Sequence, residues 1–319
     1  VSRRFAHLAD HPDGNAVEHH RGGLRVAGGT DGNDRNSIVE TGKDQVLGKD
    51  GMVMDIRTVK LIYFSPTGTT RKILDGIADG IGGRNRERVD LTPPEARTGG
   101  TIELHDELAL IGSPVYGGRV PLDMISRFRR VKGKDTPAVI VVSYGNRAFE
   151  DALLELHDIA REQGFRPIAA GAFIGEHSFS TTEKPVAAGR PDSGDLRKAG
   201  DFGKMIREKT GQSPTLDQLA PVHVSGNRPY KERGGLSNVA PVTDGTLCTR
   251  CGECVPVCPT ASIPAADPAT TDAKSCIRCS ACIKVCPVNA RRMDDPRIRE
   301  VMERLSVNCR ARKEPELFF

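Results

Sequence analysis

The sequence contains no tryptophan, so no indole is available to lie against a flat cofactor or a base, and only ten Phe and four Tyr supply carbocyclic aromatic rings. No stretch approaches the roughly 18 uninterrupted apolar residues of a membrane-spanning helix. The first 25 residues also lack the charged, apolar and small-residue order of a signal peptide. A cytoplasmic protein without a membrane span is expected. Lys and Arg number 46 against 42 Asp and Glu, with no basic run, which argues against nucleic acid as a partner. His105, His157, His177 and His223 stand apart from any Ser or Cys nucleophile motif. They read as surface or helix-facing residues, and no hydrolase constellation is present.

What is there divides along the chain. The 319 residues are 37% hydrophobic and 28% charged, which allows two ordinary globular domains. Residues 1–54 are rich in Gly, Asp, Arg and His without helical or strand periodicity, and disorder is expected there. The spacing of His7, His11, His19 and His20 matches no metal motif. Met52 and Met54, just before the first strand, leave a translation start at that point open. Residues 55–210 alternate strand and helix signals, the pattern of a parallel sheet with helices on both faces. Strands are expected at 59–64, 87–91, 108–112, 138–143 and 167–174, and helices at 70–81, 121–131, 147–163 and 193–209. Residues 211–245, with Gly, Pro, Ser and Asn, read as a linker or a loop draped over a neighbour. A cysteine-rich domain over 246–295 and a charged tail over 296–319 follow. Asp294 and Asp295 read as a helix start, and Phe318 and Phe319 offer an apolar end that either domain could take up.

Eight of the nine cysteines fall in two copies of C-x2-C-x2-C-x3-C-P, offset throughout by 28 residues. The first is Cys248, Cys251, Cys254 and Cys258 before Pro259; the second is Cys276, Cys279, Cys282 and Cys286 before Pro287. This is the run that ligates [4Fe–4S] clusters in bacterial ferredoxins. Three cysteines at intervals of three wrap three corners of a cubane, and the fourth reaches the other cluster. Cys248, Cys251, Cys254 and Cys286 are thus expected to hold one cluster, and Cys276, Cys279, Cys282 and Cys258 the other. Zinc modules pair two C-x2-C knuckles without a third cysteine in step, and disulfides do not suit a chain lacking a secretory pattern. Cys309 lies outside both runs and reads as an ordinary thiol.

The first strand ends in Ser65-Pro-Thr67-Gly68-Thr69-Thr70 before a helical pattern. A hydroxyl-rich turn entering a helix offers N–H and O–H donors and the positive end of the helix dipole to a phosphate. It is not a Walker A loop, since the second glycine and the lysine are missing. After the third strand comes Ser113-Pro-Val-Tyr116-Gly117-Gly118, and after the fourth Tyr144-Gly145-Asn146-Arg147. Each sets an aromatic beside glycine, where backbone can approach a flat ring. The carboxyl ends of parallel strands are where such sheets bind ligands.

These residues resemble a known family. Ser65-x-Thr67-Gly68-x-Thr70 is similar to the FMN-phosphate loop of flavodoxins, and the Tyr-Gly-Gly segment to the loop flanking the isoalloxazine ring. Together with the doubled cysteine motif, residues 57–292 resemble the flavodoxin–ferredoxin fusions called EFR1-family ferredoxins. The resemblance implies a flavodoxin-like doubly wound parallel sheet of order 2-1-3-4-5, joined to a small α+β domain with two [4Fe–4S] clusters. It implies that Ser65, Thr67, Gly68, Thr69 and Thr70 hold the FMN phosphate, that Tyr116 and Gly117 border one side of the ring, and that Tyr144, Gly145 and Asn146 meet its other edge. Arg147 would bond a ring carbonyl or stabilise a reduced anionic flavin. The missing indole is a departure from many flavodoxins. The expected function is an electron carrier passing single electrons between the clusters and FMN, with redox proteins as partners. Two rivals are a flavin-dependent reductase of a small acceptor, fed by the clusters, and a ferredoxin with a flavin-free docking or regulatory domain.

Overall fold

The computed structural model describes residues 57–82, 85–213 and 215–319. The segment expected to be disordered, 1–54, lies outside the described residues. From the first strand the order is β1 (Thr58–Tyr63), α1 (Thr69–Ile81), β2 (Asn85–Asp90), β3 (Ile102–Leu104), β4 (Leu108–Pro114), α2 (Leu122–Phe128), β5 (Val131–Gly133), β6 (Thr136–Tyr144), α3 (Ala152–Glu162), β7 (Phe165–Ile174) and α4 (Ser193–Gly211). Beyond them come β8 (Val242–Thr243), α5 (Ala281–Lys284), β9 (Arg291–Arg292), α6 (Pro296–Asn308) and β10 (Glu316–Phe318).

The main sheet has the order β2-β1-β4-β6-β7-β10, parallel except for β10. Its five parallel strands therefore have the flavodoxin-like order 2-1-3-4-5. Residues 108–114 (LALIGSP), 136–144 (TPAVIVVSY) and 165–174 (FRPIAAGAFI) are buried nearly throughout, as interior parallel strands covered on both faces must be. β2, NRERVD, is charged and largely exposed, which protects that sheet edge from pairing with another chain. Side chains alternate between two cores. Ile62, Ile111, Ile140 and Val142 meet Met124, Phe128, Leu153 and Leu156 of α2 and α3. Leu61, Leu110, Val139 and Val141 meet Leu74, Ile77, Phe202 and Ile206 of α1 and α4.

Three local outcomes differ from the sequence reading. The helix expected over 121–131 stops at Phe128, and Val131–Gly133 instead pairs with Ile102–Leu104 as a separate two-stranded parallel sheet. The helix expected from residue 147 begins at Ala152, because residues 145–151 form a loop. The C-terminal tail adds an edge strand: Glu316, Leu317 and Phe318 pair antiparallel with Ala172, Gly171 and Ala170. Phe319 then meets Phe202 edge-on at 5.4 Å. The apolar end thus docks on the sheet and covers an edge that β7 would otherwise expose.

Residues 219–241 run as an extended strap across α3. Arg233 donates to Val120 O and Glu155 Oε1, Glu155 also takes a bidentate pair of hydrogen bonds from Arg119, and Asp151 accepts from the backbone of Asn227 and Lys231. The cysteine segment follows, with the β8–β9 ribbon and α5 around a core of Cys254, Cys258, Ile263 and Cys282. It is tied to the sheet by Arg127, almost wholly buried, whose guanidinium donates to Leu91 O at 2.6 Å, Thr92 O at 2.7 Å and, across the junction, Pro259 O at 2.5 Å.

Candidate functional site

The loops that follow β1, β4, β6 and β7 meet at the carboxyl edge of the sheet and enclose a cavity of about 510 Å³, a size typical of small-molecule sites. Ser65, Thr67, Thr69 and Thr70 line it from the first loop, Tyr116 and Gly117 from the second, and Tyr144, Gly145 and Arg147 from the third. Gly68 and Asn146 are not among its lining residues.

The first loop is built to receive an anion. Gly68 takes a left-handed conformation, φ 77°, at the start of α1; the helix has no side-chain cap and no acidic residue in its first turn. Its leading N–H groups and dipole therefore face no competing protein carboxylate there. Ser65 N–H donates to Thr92 Oγ1 at 2.8 Å, and Ser65 Oγ accepts from Arg71 N–H at 3.1 Å, which fixes the turn. Thr67 and Thr69 hydroxyls lie 3.4 Å apart. Thr70 is buried and its hydroxyl pairs with Ser143 Oγ at 2.8 Å, so it braces the loop from behind.

The second loop is a tight turn in which Tyr116 and Arg119 exchange backbone hydrogen bonds across Gly117 (φ 62°) and Gly118 (φ 86°). Positive φ at both central positions is the geometry of a type I′ turn. A Cβ on Gly118 would sit 1.7 Å from Glu150 Oε2, so a side chain there would have to displace Glu150 and would strain a backbone at φ 86°. Burial pushes the Tyr116 hydroxyl well above its usual range, followed by the proximity of Cys279, Asp123 and Cys276. The ring is partly open while its hydroxyl end is enclosed against the second cysteine run. Tyr144 packs edge-on against Phe149 at 5.6 Å, and burial raises its hydroxyl to about 12.

Asn146 does other work than the sequence reading assigned it. It is buried, with φ 60°, and its Nδ2 donates to Cys309 O and Ala311 O at 2.8 Å each, while Oδ1 accepts from Lys313 N–H. Its amide is spent on clamping the tail behind the loop, away from the cavity. Arg147 lines the cavity and donates to Glu150 Oε1 at 2.8 Å, so part of its charge is already met.

Several lining residues escaped the sequence reading. His177, read from the sequence as a surface or helix-facing residue, instead lines the cavity from the loop after β7; its Nδ1 accepts from Phe179 N–H at 3.1 Å, which leaves the ring proton on Nε2. Burial, then the charges of Arg147 and Lys284, lower it to about 4, so it is neutral at physiological pH. Gly145 makes room for it, because a Cβ there would lie 2.3 Å from the imidazole. The strap brings Gly234, Gly235 and Leu236, and α6 brings Val301, Arg304 and Leu305. Ile277 and Arg278, between Cys276 and Cys279, complete the wall. No motif announced them; only the fold brings the second cysteine run to the mouth of the sheet.

The eight cysteines gather as two quartets that exchange their fourth members. Cys248, Cys251, Cys254 and Cys286 line one small cavity with Pro268 and Arg291. Cys258 lies near Cys276, Cys279 and Cys282, each of which senses its charge. Among the described residues no three His, Cys, Asp or Glu side chains converge as ligands of a single metal ion, whereas a cubane spreads its thiolates to four separate corners.

The backbone around the quartets repeats with the 28-residue offset. Cys248 N–H donates to Asp244 O and Cys276 N–H to Asp272 O; Asp244 N–H donates to Ala290 O and Asp272 N–H to Ser262 O. Ser262 N–H reaches Cys258 Sγ at 3.2 Å, and Ala290 N–H reaches Cys286 Sγ at 3.3 Å. Burial pushes the Cys279 thiol to about 12 and the Cys282 thiol to about 11. Such sulfurs need cationic partners to exist as thiolates. One partner is Arg291, which is buried, donates to Pro268 O at 2.8 Å and Thr271 Oγ1, and points Nη1 at Cys254 Sγ at 3.6 Å. Its positive charge also acts on Cys282, so its field reaches both quartets. Its Nε has no partner. A buried cation amid thiols, with N–H groups aimed at sulfur, fits an iron–sulfur cluster anion.

Residues 240–287 match the family model of the 4Fe-4S dicluster domain. No curated protein matches the chain. Among solved structures the chain is similar to a flavodoxin from the domain Archaea, at 15% identity over 48% of this chain and 98% of that one, with a TM-score of 0.32. It is also similar to a Streptococcus pneumonia flavodoxin, at 15% identity over 48% of this chain and 99% of that one, TM-score 0.33. A third is the rubredoxin oxygen:oxidoreductase of Desulfovibrio gigas, at 13% identity over 48% of this chain and 35% of that one, TM-score 0.31. The chain joins a sheet whose parallel strands run in the order 2-1-3-4-5 to a segment, residues 240–287, that matches an iron–sulfur dicluster domain, a type of centre that exchanges single electrons.

Proposed function

We propose that the chain is an electron-transfer protein in which the two quartets each hold a [4Fe–4S] cluster and the carboxyl-edge cavity holds FMN, as the resemblance to EFR1-family ferredoxins implies. The observation that carries this reading is the shared wall: Ile277 and Arg278, between two ligands of the second quartet, line the cavity that the phosphate-type loop and the two aromatic loops also line. A bound flavin would supply an exchange between one- and two-electron chemistry, while each cluster handles one electron.

The chain's own groups have defined parts in this. Ser65, Thr67, Thr69 and the start of α1 would hold the phosphate; Tyr116, Gly117, Tyr144 and Gly145 would border the ring. His177 would present a neutral Nε2–H, and Arg147 and Arg278 fixed positive charge. The strap, Ile277, Arg278 and α6 would keep water from the side facing the clusters. External redox proteins in the cytoplasm would be the partners, and nucleic acid would not.

The test is delivery. Anaerobically reconstituted protein, given less reductant than it has centres, should show bleaching of the flavin band as cluster absorption recovers. Clusters that stay reduced beside an oxidised bound flavin would contradict the reading.

A further inference from the structure

The two halves of the cysteine segment share one backbone course, so a side chain that differs between equivalent positions marks a difference between the two sites. Three pairs of residues 28 apart take left-handed backbone: Arg250 (φ 56°) with Arg278 (57°), Gly252 (81°) with Ser280 (62°), and Ala261 (52°) with Asn289 (51°). At the middle pair the first run has glycine, which adopts such a conformation without strain. The second run has serine.

Gly252 lines the cavity of the first quartet. The repeat carries Ser280 to the matching place beside the second, directly after Cys279. Ser280 is only 2% exposed, and its Oγ has no hydrogen-bond partner in the protein. A buried hydroxyl without a partner is unfavourable, and here it sits on backbone that glycine would hold more easily. Both costs are explained if the hydroxyl serves the group the quartet holds.

We infer that Ser280 Oγ–H donates a hydrogen bond to a sulfur of the second cluster, and that this bond, which Gly252 cannot make at the first, raises the second cluster's reduction potential. The inference rests on the reading that both quartets hold clusters. A donor to sulfur favours the more negative, reduced state, so the potential rises. Solvent access acts the other way between the two sites. Cys251 of the first quartet is exposed, whereas Cys279 and Cys282 of the second are buried, and burial disfavours added negative charge. Arg291 lies against Cys254 and its charge also reaches Cys282, so it acts on both quartets. The Ser280 bond therefore offsets the deeper burial of the cluster beside the flavin cavity, and keeps it a usable step between the first cluster and the flavin.

The experiment is an anaerobic redox titration followed by electron paramagnetic resonance on the full holoprotein, with Ser280→Ala, Ser280→Gly and Gly252→Ser. Both Ser280 variants should lower the midpoint potential of one cluster and leave the other in place; glycine relieves the backbone there, so that variant keeps the fold. Gly252→Ser should raise the other cluster; a Cβ at Gly252 meets no atom within 4 Å, and the left-handed backbone it would strain is one that Ser280 already holds at the equivalent position. Unchanged potentials in both Ser280 variants, with two clusters present by iron content and spin count, would overturn the inference. Wild-type protein holding fewer than two clusters would instead overturn the two-cluster reading, and the inference with it.

Discussion

His177 shows how a residue without a sequence motif becomes legible through its contacts. Its Nδ1 is occupied by Phe179 N–H, and Arg147 and Lys284 bring positive charge near a ring already enclosed. The folded state holds it near 4 against 6.5 when free, so the unfolded chain binds the extra proton first as pH falls. Stability from this site is complete above about pH 6.5 and is lost progressively towards pH 4, an effect of at most about 3 kcal/mol. Denaturant titrations at several pH values should show this fall, and His177→Asn should flatten it. An unchanged pH slope in the variant would count against the assignment. Cys286 gives a second residue-scale expectation. Because it lines the cavity of Cys248, Cys251 and Cys254, Cys286→Ser should damage the first cluster's spectrum and leave the cluster of its sequence neighbours; selective loss of the second cluster would refute the crossed ligation.

At the scale of elements, helices α1 and α4 lie backbone against backbone. A Cβ on Gly80 would come within 1.9 Å of Gly200 O, and one on Gly203 within 2.1 Å of Ile77 O. Gly80→Ala should therefore force the helices apart and cost about 1–3 kcal/mol, more than the small gain alanine brings to helix propensity. A thermal melt equal to wild type would contradict that packing. The interior strands were legible in sequence because burial on both faces leaves near-continuous apolar runs, and the cysteine runs because ligand spacing is local. β3, β5 and β10 were not, since three-residue strands carry no periodicity and form only where a neighbour offers an edge. Asn146 was misread for a related reason: its place after Tyr144-Gly145 suggested the cavity, but its amide is satisfied by a tail more than 160 residues further on. Ile277 and Arg278 are cavity residues only through tertiary docking.

At the scale of the whole described chain, that docking is the central feature. Arg127 spans the sheet loops and Pro259, Lys284 pairs with Glu176 at 2.6 Å, and the strap is held by Glu155 and Asp151. Arg127, Glu155 and Asp151 are buried, and removing a partner from any of them would leave an unpaired ion behind, which fixes one arrangement. The fixed arrangement sets the second quartet against the carboxyl-edge cavity and leaves the first facing outward, with Cys251, Leu247 and Val288 exposed. The measurement that tests this account most directly is iron, acid-labile sulfide and flavin quantification on one anaerobically purified sample. The account predicts about eight irons, about eight sulfides and about one FMN per chain; a full iron and sulfide complement that takes up no flavin, even with FMN added, would contradict it.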